Sequence, residues 1–256
     1  MTTLLIAMPT QGEVCTETML TVIDLTQKLT GRKIPFSIKT FAGSDIVMSR
    51  NFLMSWFLAN DPYSHILLLD ADMSFASDVV LRLLDFDAPF TAAPYPQRYA
   101  KLERFRAEIE ADDPDQRTQT RDIFASVLDY NVQKRLHPDE PWEAKRRDGF
   151  RTVAGVGTGL MLIAREVPTQ MAERGIARRL ARHDGQRRYA GARFHDFFSH
   201  LTDRDGTAMY GEDQSFCHRW INGCGGDVWI DETAVVTHHG RFPFRGDFGQ
   251  ARDYTP

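Results

Sequence analysis

The chain predicts an α/β fold, a sheet wound with helices, and three observations carry that expectation. Ile66-Leu67-Leu68-Leu69 is a short aliphatic run without polar alternation, the pattern of a strand buried on both faces. Apolar runs and helical patterns alternate β-α-β-α-β-α-β through the first hundred residues. Asp70 and Asp72 stand directly behind the aliphatic run, where open α/β sheets bind their ligands. In extended chain, positions i and i+2 point to one side, so both carboxylates can face one cation or one polar ligand. Their mutual repulsion asks for a counter-charge, and a hard divalent metal held by phosphates is the natural one.

The elements follow in order. Leu4 to Met8 reads as the first buried strand, stopped by Pro9-Thr10-Gln11-Gly12. A helix is expected over Val14 to Leu29, with Met19, Leu20, Ile23 and Leu25 as its apolar face and Gly31 as its C-terminal signal. Ile34 to Phe41 is the second strand. Ile46 to Ala59 is helical, capped by Ser44 or Asp45 and ended by Asn60-Asp61-Pro62. After the aliphatic strand, Ser77 to Leu84 makes a short helix and Phe90 to Pro96 a further extended segment. From Lys101 to Gly149 charge is dense and apolar periodicity weak. That stretch reads as an exposed insertion, flap or substrate lid, with one helix near Asp122 to Arg135.

Order returns at Gly155-Val156-Gly157-Thr158-Gly159, which runs into the aliphatic strand Leu160 to Ile163. The glycines precede a strand and do not follow one, so they are not a dinucleotide fingerprint. Either the backbone is tightly packed there or a ligand approaches it closely. A basic helix is expected over Glu166 to Arg182, and Phe194-His195-Asp196-Phe197-Phe198 is expected in the core. Glu212 and Asp213 open a helix, where the dipole alone favours acids. A short strand, Asp227 to Ile230, follows. Ala234-Val235-Val236 then leads into His238-His239, and paired histidines at a strand end are metal-ligand candidates.

Composition excludes several classes. With 256 residues the chain can bury a full core, and 42% hydrophobic with 26% charged residues is ordinary for a globular protein. A net charge of −4 makes no case for nucleic acid or an anionic membrane. No stretch has the apolar length of a transmembrane segment, and the N-terminus lacks a basic leader, so a cytoplasmic protein is expected. Cys15, Cys217 and Cys224 lack paired-ligand spacing, so reduced thiols and no zinc site are expected.

Taken together, the motifs resemble the nucleotide-sugar glycosyltransferases of the GT-A fold, in particular the family-2-like bacterial type. Asp70-Ala71-Asp72 matches that fold's D-x-D, and Met48-Ser49-Arg50-Asn51 its Arg-Asn element. Gly157 to Arg165 resembles the strand after its insertion, Gly211-Glu212-Asp213 its E-D motif, and His238-His239-Gly240 its late His-x-Gly. The resemblance implies a Rossmann-like, mixed but mostly parallel sheet in a single domain over 1–256. Its nucleotide-binding half would be 1–100, its variable insertion 101–149 and its acceptor-side half 150–256.

It further implies a nucleoside diphosphate sugar donor of UDP or GDP type and a hydroxyl acceptor, a glycan or glycoconjugate. Asp72 and His238 would hold Mn²⁺ or Mg²⁺, and the histidine nitrogen favours Mn²⁺. Asp70 would contact ribose or the metal through water. Pro9, Thr10, Ala71, Asn51 and the run Gly157, Thr158, Gly159 would line the donor site. Arg50 would neutralise phosphate or hold nearby carboxylates. Asp213 would be the base of an inverting transfer, with Glu212 as fallback or acceptor contact.

Three rivals share parts of the pattern. A haloacid-dehalogenase-like phosphatase would use Asp70 as nucleophile, but that motif belongs on a first strand. A nucleotidyltransferase would carry a basic, Gly-rich loop after strand one, and Pro9-Thr10-Gln11-Gly12-Glu13 is not such a loop. A non-catalytic binding protein of the same fold would have no use for the full set of acids and histidine.

Overall fold

The computed structural model describes residues 2–111, 124–134, 143–180, 194–203, 205–207, 209–240 and 242–250. In chain order the elements are β1 (Leu4–Thr10), α1 (Thr16–Gly31), β2 (Phe36–Ala42), α2 (Ile46–Ala59), β3 (His65–Leu69), β4 (Met73–Phe75) and α3 (Asp78–Asp85). Next come β5 (Phe90–Ala92), β6 (Pro96–Ala100), α4 (Leu102–Ala111), β7 (Leu128–Tyr130), β8 (Val132–Gln133), β9 (Arg146–Arg147), β10 (Phe150–Val153), β11 (Gly155–Val156) and β12 (Leu160–Ala164). The chain continues with α5 (Glu166–Glu173), β13 (Arg178–Leu180), β14 (Phe194–Asp196) and α6 (Glu212–His218), which runs into a π-helical turn over Arg219–Cys224. Last are β15 (Val228–Asp231), β16 (Val235–His238), β17 (Phe244–Asp247) and a 3₁₀ turn over Phe248–Gln250.

Eight strands form the central sheet in the order β2-β1-β3-β12-β5-β15-β10-β9. β2, β1 and β3 are parallel, as are β5 and β15, while β12 and β10 run against their neighbours. Following those pairings, six strands point one way and two the other. The sheet is mixed and mostly parallel, and the fold class is the Rossmann-like α/β arrangement expected.

Strand alternation sorts the core into two layers. Leu5, Ala7, Ile66, Leu68, Met161 and Ile163 face one way and pack with Phe52, Leu53 and Phe57 of α2 and Phe216 of α6. Leu4, Ile6, Met8, Leu67, Leu69, Leu160 and Leu162 face the other way, against Leu25 and Leu29 of α1 and Val80 and Leu83 of α3. Continuous aliphatic strands follow from this, because each face meets helices. Among the described residues no helix is long and apolar enough to cross a membrane.

Several expectations change. In α1, Met19, Leu20 and Ile23 are exposed at 50%, 58% and 46%. The buried stripe is Thr18, Thr21, Val22, Leu25 and Leu29. Those positions follow helical 3–4 spacing, but two of them are threonines, which hid the stripe among stronger apolar residues. The helix expected near Asp122 to Arg135 is present only over 124–126; Leu128–Tyr130 and Val132–Gln133 are strand, and 122–123 and 135 lie outside the described residues. Leu128 and Tyr130 alternate into the core while Asp129 between them binds Lys101 at 2.7 Å. That part of the expected flap is therefore packed structure. α5 ends at Glu173, ahead of Gly175 at φ +71°, so the basic run beyond it is strand β13 up to Leu180. Phe194, Phe197 and Phe198 are in the core, as expected.

Candidate active site

The cleft opens at the carboxyl ends of β1 and β3. It has a volume of about 570 Å³ and is lined by Pro9, Thr10, Arg50, Asp70, Ala71 and Asp72, together with Cys15, Arg98, His239 and Gly240. That volume is within the range of small-molecule sites. The first four residues of β1 pair in register with β3, Leu4 opposite His65 through Ala7 opposite Leu68. Pro9 and Thr10 do not stop β1 as expected but pair on with Phe41 and Ala42 of β2, and they stand beside Asp70 where it leaves the sheet.

Arg50 organises one end. It lies in the second turn of α2, where that helix becomes buried, and is 4% exposed; the helix is capped by the Asp45 carboxylate on the Met48 N–H. Its Nη2 donates to both oxygens of Asp70 at 2.8 and 3.0 Å, and its Nη1 donates to Glu212. Burial disfavours its charge, but Asp70 and Glu212 more than restore it, and the guanidinium stays protonated. Arg50 thus holds carboxylates and is not a surface residue.

Asp72 forms the other end. β4 pairs with β16 so that His238 is opposite Met73, which carries a histidine from late in the chain to the Asp72 carboxylate. His238 Nε2 lies 3.5 Å from Asp72 Oδ2. Its Nδ1–H donates to the Pro96 carbonyl at 2.9 Å, which orients the ring and turns Nε2 toward Asp72. Arg98 donates to the same Asp72 oxygen at 2.9 Å. Burial works against ionisation of Asp72, yet His238 and Arg98 outweigh it, so the carboxyl is held below its ordinary range.

Asp213 follows Glu212 at the start of α6. Its Oδ2 accepts from Asn131 Nδ2 at 2.8 Å and its Oδ1 from the Gln214 N–H at 2.7 Å. Burial and the Glu212 charge push its carboxyl above the ordinary range, against those two hydrogen bonds and Arg50. Tyr95 connects the two ends. Its ring is 5.3 Å from that of His238, and its hydroxyl accepts from the Gly159 N–H at 3.1 Å. Burial and then the charges of Asp70 and Asp213 push the Tyr95 phenol up, so it remains a neutral hydroxyl.

Other predicted residues are elsewhere. Asn51 is 3% exposed and fully engaged: its Oδ1 accepts from the N–H groups of Phe197 and Phe198, and its Nδ2 donates to Asp196. It positions the 194–199 segment and does not line the cleft. Thr158 is 1% exposed. A Cβ on Gly155, Gly157 or Gly159 would run into Gln214, into Tyr95 and Asn131, or into Met73 and Tyr95. The alternate glycines are therefore explained by tight packing of protein side chains, and the 157–159 run is behind Tyr95. Pattern reading missed Arg98, Tyr95 and Asn131. Arg98 and Asn131 lie in or beside the charged middle stretch, where surface charge conceals a functional one, and Tyr95 sits between two prolines.

No protein-family model matches the chain, and no curated protein does. Among solved structures it is similar to A197 from STIV, over 96% of this chain and 95% of that one, at 15% identity and a TM-score of 0.48. A likeness at that level says nothing about chemistry.

Proposed function

We propose that the protein is a metal-dependent glycosyltransferase that moves a sugar from a nucleoside diphosphate sugar to an acceptor hydroxyl. The observation that carries this reading is the approach of His238 to Asp72, which lines the cleft together with Asp70 and the Arg50 that ties Asp70 to Glu212. One carboxylate oxygen and one oriented imidazole nitrogen suit a divalent cation, Mn²⁺ before Mg²⁺. Held there, the cation would act as a Lewis acid for the charge left on the diphosphate. Asp72 and His238 are its ligands in this reading. Arg98, half exposed, exchanges its Asp72 contact for a phosphate oxygen. Pro9 and Thr10 contact the base and ribose, and Asp70, oriented by Arg50, accepts from a ribose hydroxyl.

Asp213 takes the acceptor proton. A base whose affinity for a proton is raised by burial fits that role better than an ordinary surface aspartate. Glu212, turned toward Arg50, raises that affinity through its charge, so its part is electrostatic. Attack by the activated hydroxyl on the far side of the anomeric carbon inverts its configuration.

The test is thermal stability with UDP, GDP, dTDP and CDP, each with and without Mn²⁺. One of them raises the melting temperature only when the metal is present, and Asp72→Ala abolishes that rise. If none shifts the wild type, or if Asp72→Ala shifts like it, the reading fails. A p-nitrophenyl phosphatase activity that depends on Asp70 favours the phosphatase instead.

A further inference from the structure

A second group of ligating side chains borders the same cleft and takes no part in the chemistry above. Cys15, at the N-cap of α1, Glu17 in its first turn, and His239 after β16 place one ligand atom each within 4.8 Å of one another. Two of the three are tied to the turn that carries Asp70 and Asp72, and Glu17 reaches it through Cys15. The Cys15 N–H donates to the Ala71 carbonyl at 2.8 Å, and the His239 N–H donates to the Asp72 carbonyl at 2.8 Å. His239 Nε2 is 2.7 Å from Ser74 Oγ, which fixes the ring. Cys15 Sγ is in hydrogen-bond contact with Glu17 at 2.7 Å.

The geometry points to a binding site for a soft or borderline divalent cation, Zn²⁺ foremost, formed by Cys15, Glu17 and His239. The donor types decide the class. A thiolate selects Zn²⁺-like ions over Mg²⁺ or Ca²⁺, whereas the Asp72–His238 pair has no sulfur. Bond lengths of about 2.0–2.3 Å put tetrahedral ligand atoms about 3.3–3.8 Å apart, so closing the group onto a cation draws the widest pair together by about 1.5 Å at most and opens the Cys15–Glu17 contact by about 1 Å at most. Ser74 supplies the outer contact that zinc-binding histidines regularly have. Binding forms the Cys15 S–metal bond and sends the thiol proton to water; the metal changes no oxidation state. Three protein ligands leave a fourth position open, directed to water or to an anionic group in the cleft. His238 and His239 thereby divide between two cations, one on each side of the 70–72 turn. This site stands whether or not the protein transfers sugars.

Co²⁺ is the probe, because a thiolate ligand produces a near-ultraviolet charge-transfer band that oxygen and nitrogen ligands do not. The wild-type protein develops this band with Co²⁺, and Zn²⁺ bleaches it. Asp72→Ala retains the band and Cys15→Ser loses it. Glu17→Gln, an exposed change that leaves the fold intact, weakens Co²⁺ binding by about tenfold or more. The proposal is overturned if no band forms, if the band survives in Cys15→Ser, if Asp72→Ala removes it, or if Glu17→Gln binds Co²⁺ like the wild type.

Discussion

Arg50→Met removes the cation that joins Asp70 to Glu212. In the wild type one guanidinium, 4% exposed, makes three hydrogen bonds to two carboxylates that are each 22% exposed. Hydrogen bonds to charged groups contribute about 1.5–3 kcal/mol each in mutational series. Breaking a buried pair costs about 3–5 kcal/mol, because the remaining charge is left unpaired. The carboxylates retain some water, so the lower part of that range applies, about 3–4 kcal/mol. For a chain of this size that lowers the melting temperature by about 6–16 °C.

Urea unfolding followed by tryptophan fluorescence measures the loss. The triple variant Arg50→Met, Asp70→Asn, Glu212→Gln separates its causes, because it removes the stranded charges along with the cation. It should recover at least half of the lost stability, as neutral replacements of buried ion pairs do. Arg50→Lys should fall between, since one ammonium lacks the fork that spans two carboxylates. A loss below about 1 kcal/mol in Arg50→Met refutes the bridge as a stabilising element. A triple variant no more stable than the single one refutes the stranded-charge argument.

Two further predictions concern the base and the first helix. Asp213 must be ionised to act, and its raised proton affinity means that kcat/KM falls, on acidification, at a higher pH than an ordinary aspartate would set. Asn131 donates to the ionised form, so Asn131→Ala should move this acidic limb to still higher pH; a limb that stays or moves down refutes the role. In α1, Leu25→Ala should cost about 2–5 kcal/mol and Met19→Ala less than about 0.5 kcal/mol, read by the same urea titration. The reverse order would refute the burial of the Thr18–Leu29 stripe.

The sequence alone determined the sheet and the position of the cleft. Ile66 to Leu69 is apolar without alternation because helices cover both faces of the sheet, and Asp70 and Asp72 had to emerge at its carboxyl edge. Both statements concern local pattern and strand direction, which neighbouring residues encode. What tertiary structure decided is which distant groups meet that edge. Arg50 became a double carboxylate clamp only when α6 brought Glu212 to it, and Asn51 took a purely internal role once Phe197 and Phe198 offered it their N–H groups. The glycines at 155, 157 and 159 had two readings in sequence, and Tyr95, Asn131 and Gln214 packed against their faces account for them. Cys15 and Glu17 had no partner at any ligand spacing. Antiparallel pairing of β16 with β4 brings in His239, and with it a metal-ligand set that no local spacing encodes, because His239 is over two hundred residues from Cys15 and Glu17 along the chain.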